Sequence, residues 1–217
     1  MKNWKPIIPY IVPYFTFILI GSFARYFPGY GYFIYILKTI ITAALVLYWF
    51  KSYSEIEFGF SLFALAAGIL GFILWVALAE YAPFMTFHLP SSEYTPLGSS
   101  KVVSLALISF RIGGSFLLVP VFEELFMRSF IIRWLINSDD FKSVPVGEFT
   151  WFSFAGSIIL FVLGHRPWEW PGAIATGIIF TLILYRRRKI FDCIIAHATT
   201  NLCLGIYILY TGKFGYW

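Results

Sequence analysis

An all-α polytopic membrane bundle of about seven transmembrane helices, within a range of six to eight, enclosing a polar cavity is the fold this sequence predicts. Three observations carry that prediction. The 217 residues are 59% hydrophobic and only 12% charged, with a mean hydropathy of +0.79, which excludes an ordinary soluble domain. Apolar runs close to the roughly 20 residues of a membrane span recur along the whole length. A few ionisable groups stand inside those runs, where they need a protein-lined interior rather than lipid.

Taken in order, the first span covers roughly Ile7 to Phe23, with prolines at its entry. The second runs from about Tyr32 to Phe50 and the third from about Phe58 to Ala79. The longest polar stretch follows, "APFMTFHLPSSEYTPLGSSK". The fourth span begins near Val102 and continues as far as Ile136, roughly 50 Å of helix at 1.5 Å per residue. Gly113, Gly114 and Pro120 offer it places to bend or break. After the polar loop "NSDDFKSVPVGE", a fifth span covers about Phe149 to Gly164. The sixth runs from Gly172 to Tyr185 and the seventh from Ile190 to Tyr210. Residues 1–217 read as a single membrane domain with the lipid bilayer as its solvent, without repeats or low-complexity tracts. The first apolar stretch lacks a small-residue cleavage site and reads as a true span.

The net charge of +5 rests largely on Arg186, Arg187, Arg188 and Lys189. Such a run in a short loop suits anionic cytoplasmic lipid, not nucleic acid. Seven spans with the N-terminus inside put Lys2, Lys5, Lys51, Arg133, Lys142 and residues 186–189 on the cytoplasmic face. Arg25, Lys101, Arg166 and Lys213 fall on the other, so the positive-inside rule favours a cytoplasmic N-terminus. Cys193 and Cys203 lie ten positions apart on one predicted helix, roughly 15 Å, too far for a disulfide.

Four polar sites at membrane depth need explaining. In "PVFEELFMRSF", Glu124 and Arg128 are i, i+4 neighbours able to pair, while Glu123 points about 100° away. A buried ion pair between helices accounts for two of these charges and leaves Glu123 for chemistry. His165, in "FVLGHRPWEW", reads equally as an interfacial residue beside Trp168 and Trp170. His197 and Asn201 share a helix face in "IIAHATTNL"; they suit proton transfer and oxyanion binding, or an interhelical hydrogen bond. Lys38 and Arg111 read as snorkelling or locally paired cations. As a set, a carboxylate, two imidazoles and an amide are what hydrolysis of a peptide by activated water requires. There is no HExxH helix, and no serine stands near either histidine in sequence.

EExxxR (Glu123, Glu124, Arg128), FxxxH (Phe161, His165) and HxxxN (His197, Asn201) occur in that order on late spans. Together they resemble the CAAX-processing and bacteriocin-processing (CPBP, or Abi) family of intramembrane proteases, over roughly Pro120 to Leu204. The resemblance implies an all-α membrane bundle with a conical cavity and endopeptidase activity on a membrane-tethered protein or peptide. It implies that Glu123 is the base activating water, assisted by His165, and that His197 and Asn201 stabilise the oxyanion. Glu124 and Arg128 would then support, Arg128 orienting the glutamates. No cofactor is expected; the alternative is zinc on Glu123, His165 and His197. "HRPWEWPG", "LYRRRK" and "TGKFGYW" are more similar to a bacterial branch that accompanies exosortase systems. That likeness implies a bacterial inner (cytoplasmic) membrane and a link to an exosortase-type sorting system, and leaves the lipidation of the substrate open. Intramembrane carboxylates also suit a proton-coupled transporter, or an immunity or assembly factor, although the repeat symmetry of a transporter is not seen.

Counting inward from the charged helix ends puts Glu123 and His197 in the cytoplasmic half or near the midplane. His165 fits only if the fifth span starts outside the membrane or tilts strongly, or if "HRPWEWPG" folds back into the bundle.

Overall fold

The first helix shows how the prolines of this chain are used. Helix α1 (Ile8–Ser22) carries Pro13 inside it. A proline has no N–H, so the carbonyl four residues earlier loses its helical donor. That carbonyl is Pro9, and it accepts the Tyr53 hydroxyl at 2.7 Å instead. The entry of α1 is thereby tied to the segment between the second and third helices.

The computed structural model describes residues 4–27, 29–81 and 100–216. Lys2 and most of the polar stretch after the third helix, residues 82–99, lie outside these. The described residues form helices without strands. After α1 come α2 (Gly31–Tyr48), α3 (Leu62–Tyr81), α4 (Lys101–Ile136), α5 (Trp151–Leu163), α6 (Trp170–Arg187) and α7 (Ile190–Thr211). Six of them are long and apolar enough to cross a membrane; α5, with 13 residues, is not. It spans about 20 Å, against the roughly 30 Å of a bilayer core. Thr150 starts it by capping Ser153 N at 3.1 Å, and the chain turns at Gly164. The sequence therefore places seven helices correctly and overstates the fifth as a full span.

Helices α3 and α7 pack closest, because α3 presents Ala64, Gly68 and Gly71 as buried small residues along one face. A Cβ on Gly68 would lie 2.4 Å from the Ala196 carbonyl oxygen, and one on Gly71 would lie 2.8 Å from Thr200 Oγ1. Thr200 Oγ1 donates to the Gly68 carbonyl at 2.8 Å, so the close approach also carries a hydrogen bond. Gly68→Val should push the two helices apart and lower thermal stability by about 1–3 kcal/mol or more. Unfolding in detergent, followed by tryptophan fluorescence, checks this; an unchanged midpoint would refute it.

The chain gathers its loops at two ends. At the N-terminal end, Glu55 accepts from Tyr10 at 2.8 Å and pairs with Arg133 at 2.9 Å, and Ser129 also donates to it. Lys142 donates to the Ser52 carbonyl and Lys189 reaches Glu57, joining the remaining loops of that end. At the opposite end, Glu80 gathers Lys213, Tyr207 and Tyr216. These are the two groupings on which the charge bias was counted. Arg133, however, is no loop charge, since it is buried against Glu55. Both cysteines are free.

Candidate active site

Helix α4 is not regular where it carries its charges. Two π-helical stretches, Gly114–Leu118 and Leu125–Ile131, flank the α-helical Val119–Glu124. Pro120 offers a cause for the first, because a residue without an N–H cannot close the normal ladder. In a π turn the carbonyl of Ser115 would look to residue 120 for its donor, and that residue is the proline. Asn201 Nδ2 supplies a hydrogen bond to this carbonyl at 2.8 Å. One amide hydrogen of Asn201 thus ties α7 to α4, and the second remains.

Glu124 is fully buried and serves two partners. Its Oε2 stands 3.2 Å from Arg128 Nε, and its Oε1 accepts from His197 Nδ1 at 2.8 Å. Arg128 is held in turn by the Gly177 carbonyl at 3.3 Å and lies over the Phe161 ring at 4.4 Å. With Nδ1 committed to a carboxylate, the imidazole of His197 is fixed in tautomer and direction. Its ring stacks on Phe180 at 5.1 Å. Its Nε2 then faces Glu123, 3.9 Å from Oε2. That separation is too long for a hydrogen bond, so both atoms address the same space. Glu123 keeps 17% of its side-chain surface open, whereas Glu124 has none. The i, i+4 pairing and the divergence of the two glutamates are as the spacing predicts. The second partner of Glu124 is 73 residues away and left no mark in the local pattern.

His165 follows α5 directly. The short α5 and the turn Pro167–Glu169 fold "HRPWEWPG" back into the bundle, against α3. Gly172, at the start of α6, packs so closely on Trp75 that a Cβ would lie 2.7 Å away. Trp75 stands six residues before the end of α3, about 9 Å below that rim. Of the arrangements considered for His165, the fold-back of this segment onto α3 is the one these contacts support. Its Nδ1 lies 2.7 Å from the Phe161 carbonyl. A carbonyl only accepts, so Nδ1 carries a proton, and Nε2 is the ring nitrogen left for other partners.

Glu123, His165, His197 and Asn201 line one cavity of about 300 Å³, as do Ser115 and Thr200. The cavity extends from His197 to Tyr216, towards the Glu80 end of the bundle. There, burial and then the Glu80 carboxylate push the Tyr216 phenol up. A hydrogen bond to Glu80 likewise raises the Lys213 ammonium, so both donors keep their protons at neutral pH. Glu124 and Arg128 stand behind the cavity wall. Within salt-bridge distance, Glu123 meets His197 and not His165 among the described residues. Among these residues no three His, Cys, Asp or Glu side chains gather closely enough to hold a metal ion. Zinc on Glu123, His165 and His197 therefore finds no assembled ligand set.

Lys38 and Arg111 also line this cavity, together with Arg166. Of the two readings of the first pair, snorkelling or local pairing, the second has contacts behind it: Lys38 and Arg111 both lie against the Tyr35 ring, at 5.0 and 4.3 Å. The rule that flagged the glutamates, a charge at membrane depth, applies equally to them.

Residues 101–203 match the family model described as type II CAAX prenyl endopeptidase Rce1-like. The match takes in α4 through most of α7, and with them every residue of the three quoted motifs. No curated protein and no solved structure matches the chain.

Proposed function

We propose that this chain, similar over residues 101–203 to the Rce1-like CAAX prenyl endopeptidases, is a member of that family and an intramembrane endopeptidase whose water is activated by Glu123. The observation that carries this reading is the convergence of Glu123, His165, His197 and Asn201 on one cavity from α4, the α5–α6 turn and α7. Glu123 takes a proton from water as it attacks the scissile carbonyl. His165, with Nδ1 held by the Phe161 carbonyl, passes protons through Nε2 between the cavity and the leaving amine. The oxyanion forms against His197, which Glu124 holds through Nδ1, and against the remaining amide hydrogen of Asn201. Arg128 holds the Glu124 carboxylate in place. No step of this route requires a metal.

The substrate class is a membrane-associated protein or peptide. A bacterial inner-membrane location and a link to an exosortase-type system rest on the resemblance of "HRPWEWPG", "LYRRRK" and "TGKFGYW". The basic loops favour a cytoplasmic N-terminal end, and the cavity then extends towards the extracytoplasmic side. With Cys193 and Cys203 replaced by serine, Lys101→Cys should label with an impermeant maleimide added outside cells, and Lys142→Cys should not. The reverse pattern would invert this topology.

The activity is tested in proteoliposomes with pooled membrane-tethered peptides, products being read by mass spectrometry. Cleavage that vanishes in Glu123→Gln supports the peptidase. Proton-coupled flux lost in the same variant, with no cleavage by the parent protein, would replace it with transport.

A further inference from the structure

Helix α7 lines the catalytic cavity with one face along much of its length: His197, Thr200 and Asn201, then Leu204, Gly205 and Ile208. Spacings of three and four residues keep these positions on a single side of the helix. Beyond Asn201 the wall residues of α7 are apolar. Ile208 stands seven residues past Asn201, about 10 Å along the helix. At that level the wall is continued by Tyr216, from the segment that follows α7. Gly212, at φ +70°, ends α7 in the left-handed conformation and lets the chain turn back. Phe214 and Tyr216 are thereby buried with Ile208, and Leu204 and Trp75 pack against the three. Glu80 fixes the segment from α3, accepting from Tyr216 at 3.2 Å and from Lys213 at 2.5 Å. Glu80 and residues 204–216 lie outside the stretch that matches the family model, residues 101–203. This wall is therefore built by parts of the chain that the match does not cover.

Resting on the peptidase reading above, we infer that Tyr216 is a specificity-determining residue, whose ring limits the size of the substrate residue lying against Leu204 and Ile208. The cavity, at about 300 Å³, is at the small end of the range for binding sites. It must also hold the scissile peptide and the attacking water, so little room is left at its far end. Tyr216 acts as a fixed wall, because its hydroxyl is tied to Glu80 and its ring meets Tyr207 edge-on at 6.2 Å. An extended peptide covers about 3.3 Å per residue, so the limited residue lies no more than about three residues from the cleaved bond. Arg111 and Arg166 line the cavity too, so size has to be varied at constant charge.

The test uses N-acylated peptides in proteoliposomes, randomised among Gly, Ala, Val, Leu and Phe so that charge does not vary. Cleavage is read by mass spectrometry as the residue composition at each position around the cut. Binding is read as the composition of the peptides retained by Glu123→Gln. At one position near the cut, the unmodified protein should favour Gly and Ala over Leu and Phe. Tyr216→Ala should raise the ratio of large to small residues there about 10- to 100-fold, the usual effect of added space in a side-chain pocket. Tyr216→Leu, which keeps an apolar side chain in the buried cluster, should give a smaller shift in the same direction. Tyr216→Phe, which keeps the ring, should retain the ratio of the unmodified protein. The same order should appear in the retained peptides when each change is added to Glu123→Gln. Cleavage whose ratio neither Tyr216→Ala nor Tyr216→Leu moves, or that falls alike for all peptides, overturns the role of Tyr216 and leaves the peptidase standing. A shifted ratio in binding, without cleavage by the unmodified protein, keeps Tyr216 as the limiting wall and removes the peptidase. If Tyr216→Phe shifts the ratio as far as Tyr216→Ala, the bond to Glu80 and not the ring sets the limit, and the inference falls.

Discussion

Glu123→Gln should abolish peptide cleavage while leaving the fold unchanged. The two halves of that expectation come from different facts. The amide is nearly isosteric with the carboxylate but cannot take a proton from water, and general-base catalysis contributes about 10²–10⁴ in rate. A loss of about 10³-fold or more, some 4 kcal/mol of transition-state stabilisation, is therefore expected in single-turnover cleavage. Stability should hold because Glu123 is the partly open member of the pair, 3.9 Å from its nearest ionisable partner. The buried contacts of the site belong to Glu124. Unfolding midpoints of the variant and the parent should agree within about 0.5 kcal/mol. If Glu123→Gln retains cleavage, water is activated elsewhere and the proposed mechanism is wrong. If it unfolds, the division of labour between the two glutamates is wrong.

That division was half legible in the sequence. Apolar runs of span length gave the helices because lipid leaves the backbone few other options. Ionisable residues within the runs marked Glu123, Glu124 and Arg128 for the same reason, and the 100° turn between adjacent residues separated the glutamates. Their partners across the bundle were not legible. The contact of Glu124 with His197 joins α4 to α7, and nothing local announces it. The shortness of α5 was hidden as well, since Phe149 to Gly164 reads as an apolar run until Thr150 caps the helix and Gly164 ends it. Asn201 was singled out for an amide that could meet an oxyanion. Half of that amide satisfies a carbonyl in a π turn beside Pro120, a need visible only once the helix geometry is known. Lys38 and Arg111 read as snorkelling or locally paired cations; that they line the same cavity as Glu123 follows from how α2 packs on α4, which no local pattern reveals.

Arg128→Met should be among the most destabilising single changes in the protein. It removes a fully buried guanidinium and leaves Glu124, also fully buried, without its cation. Breaking one side of a buried pair costs about 3–5 kcal/mol, which a detergent unfolding experiment resolves easily. Glu124→Gln added to Arg128→Met should recover much of that loss, because the uncompensated charge is gone and the remaining groups are neutral. Activity should not recover with it. His197 takes its orientation from the Glu124 carboxylate at 2.8 Å, and an amide supplies neither a full charge nor an obligate acceptor at that position. Stability restored alongside continued loss of cleavage would separate the electrostatic role of Arg128 from the chemical role of Glu124. Stability and cleavage recovering together would mean that the Glu124–His197 contact is structural only, and the oxyanion would then have to be met by Asn201 without it.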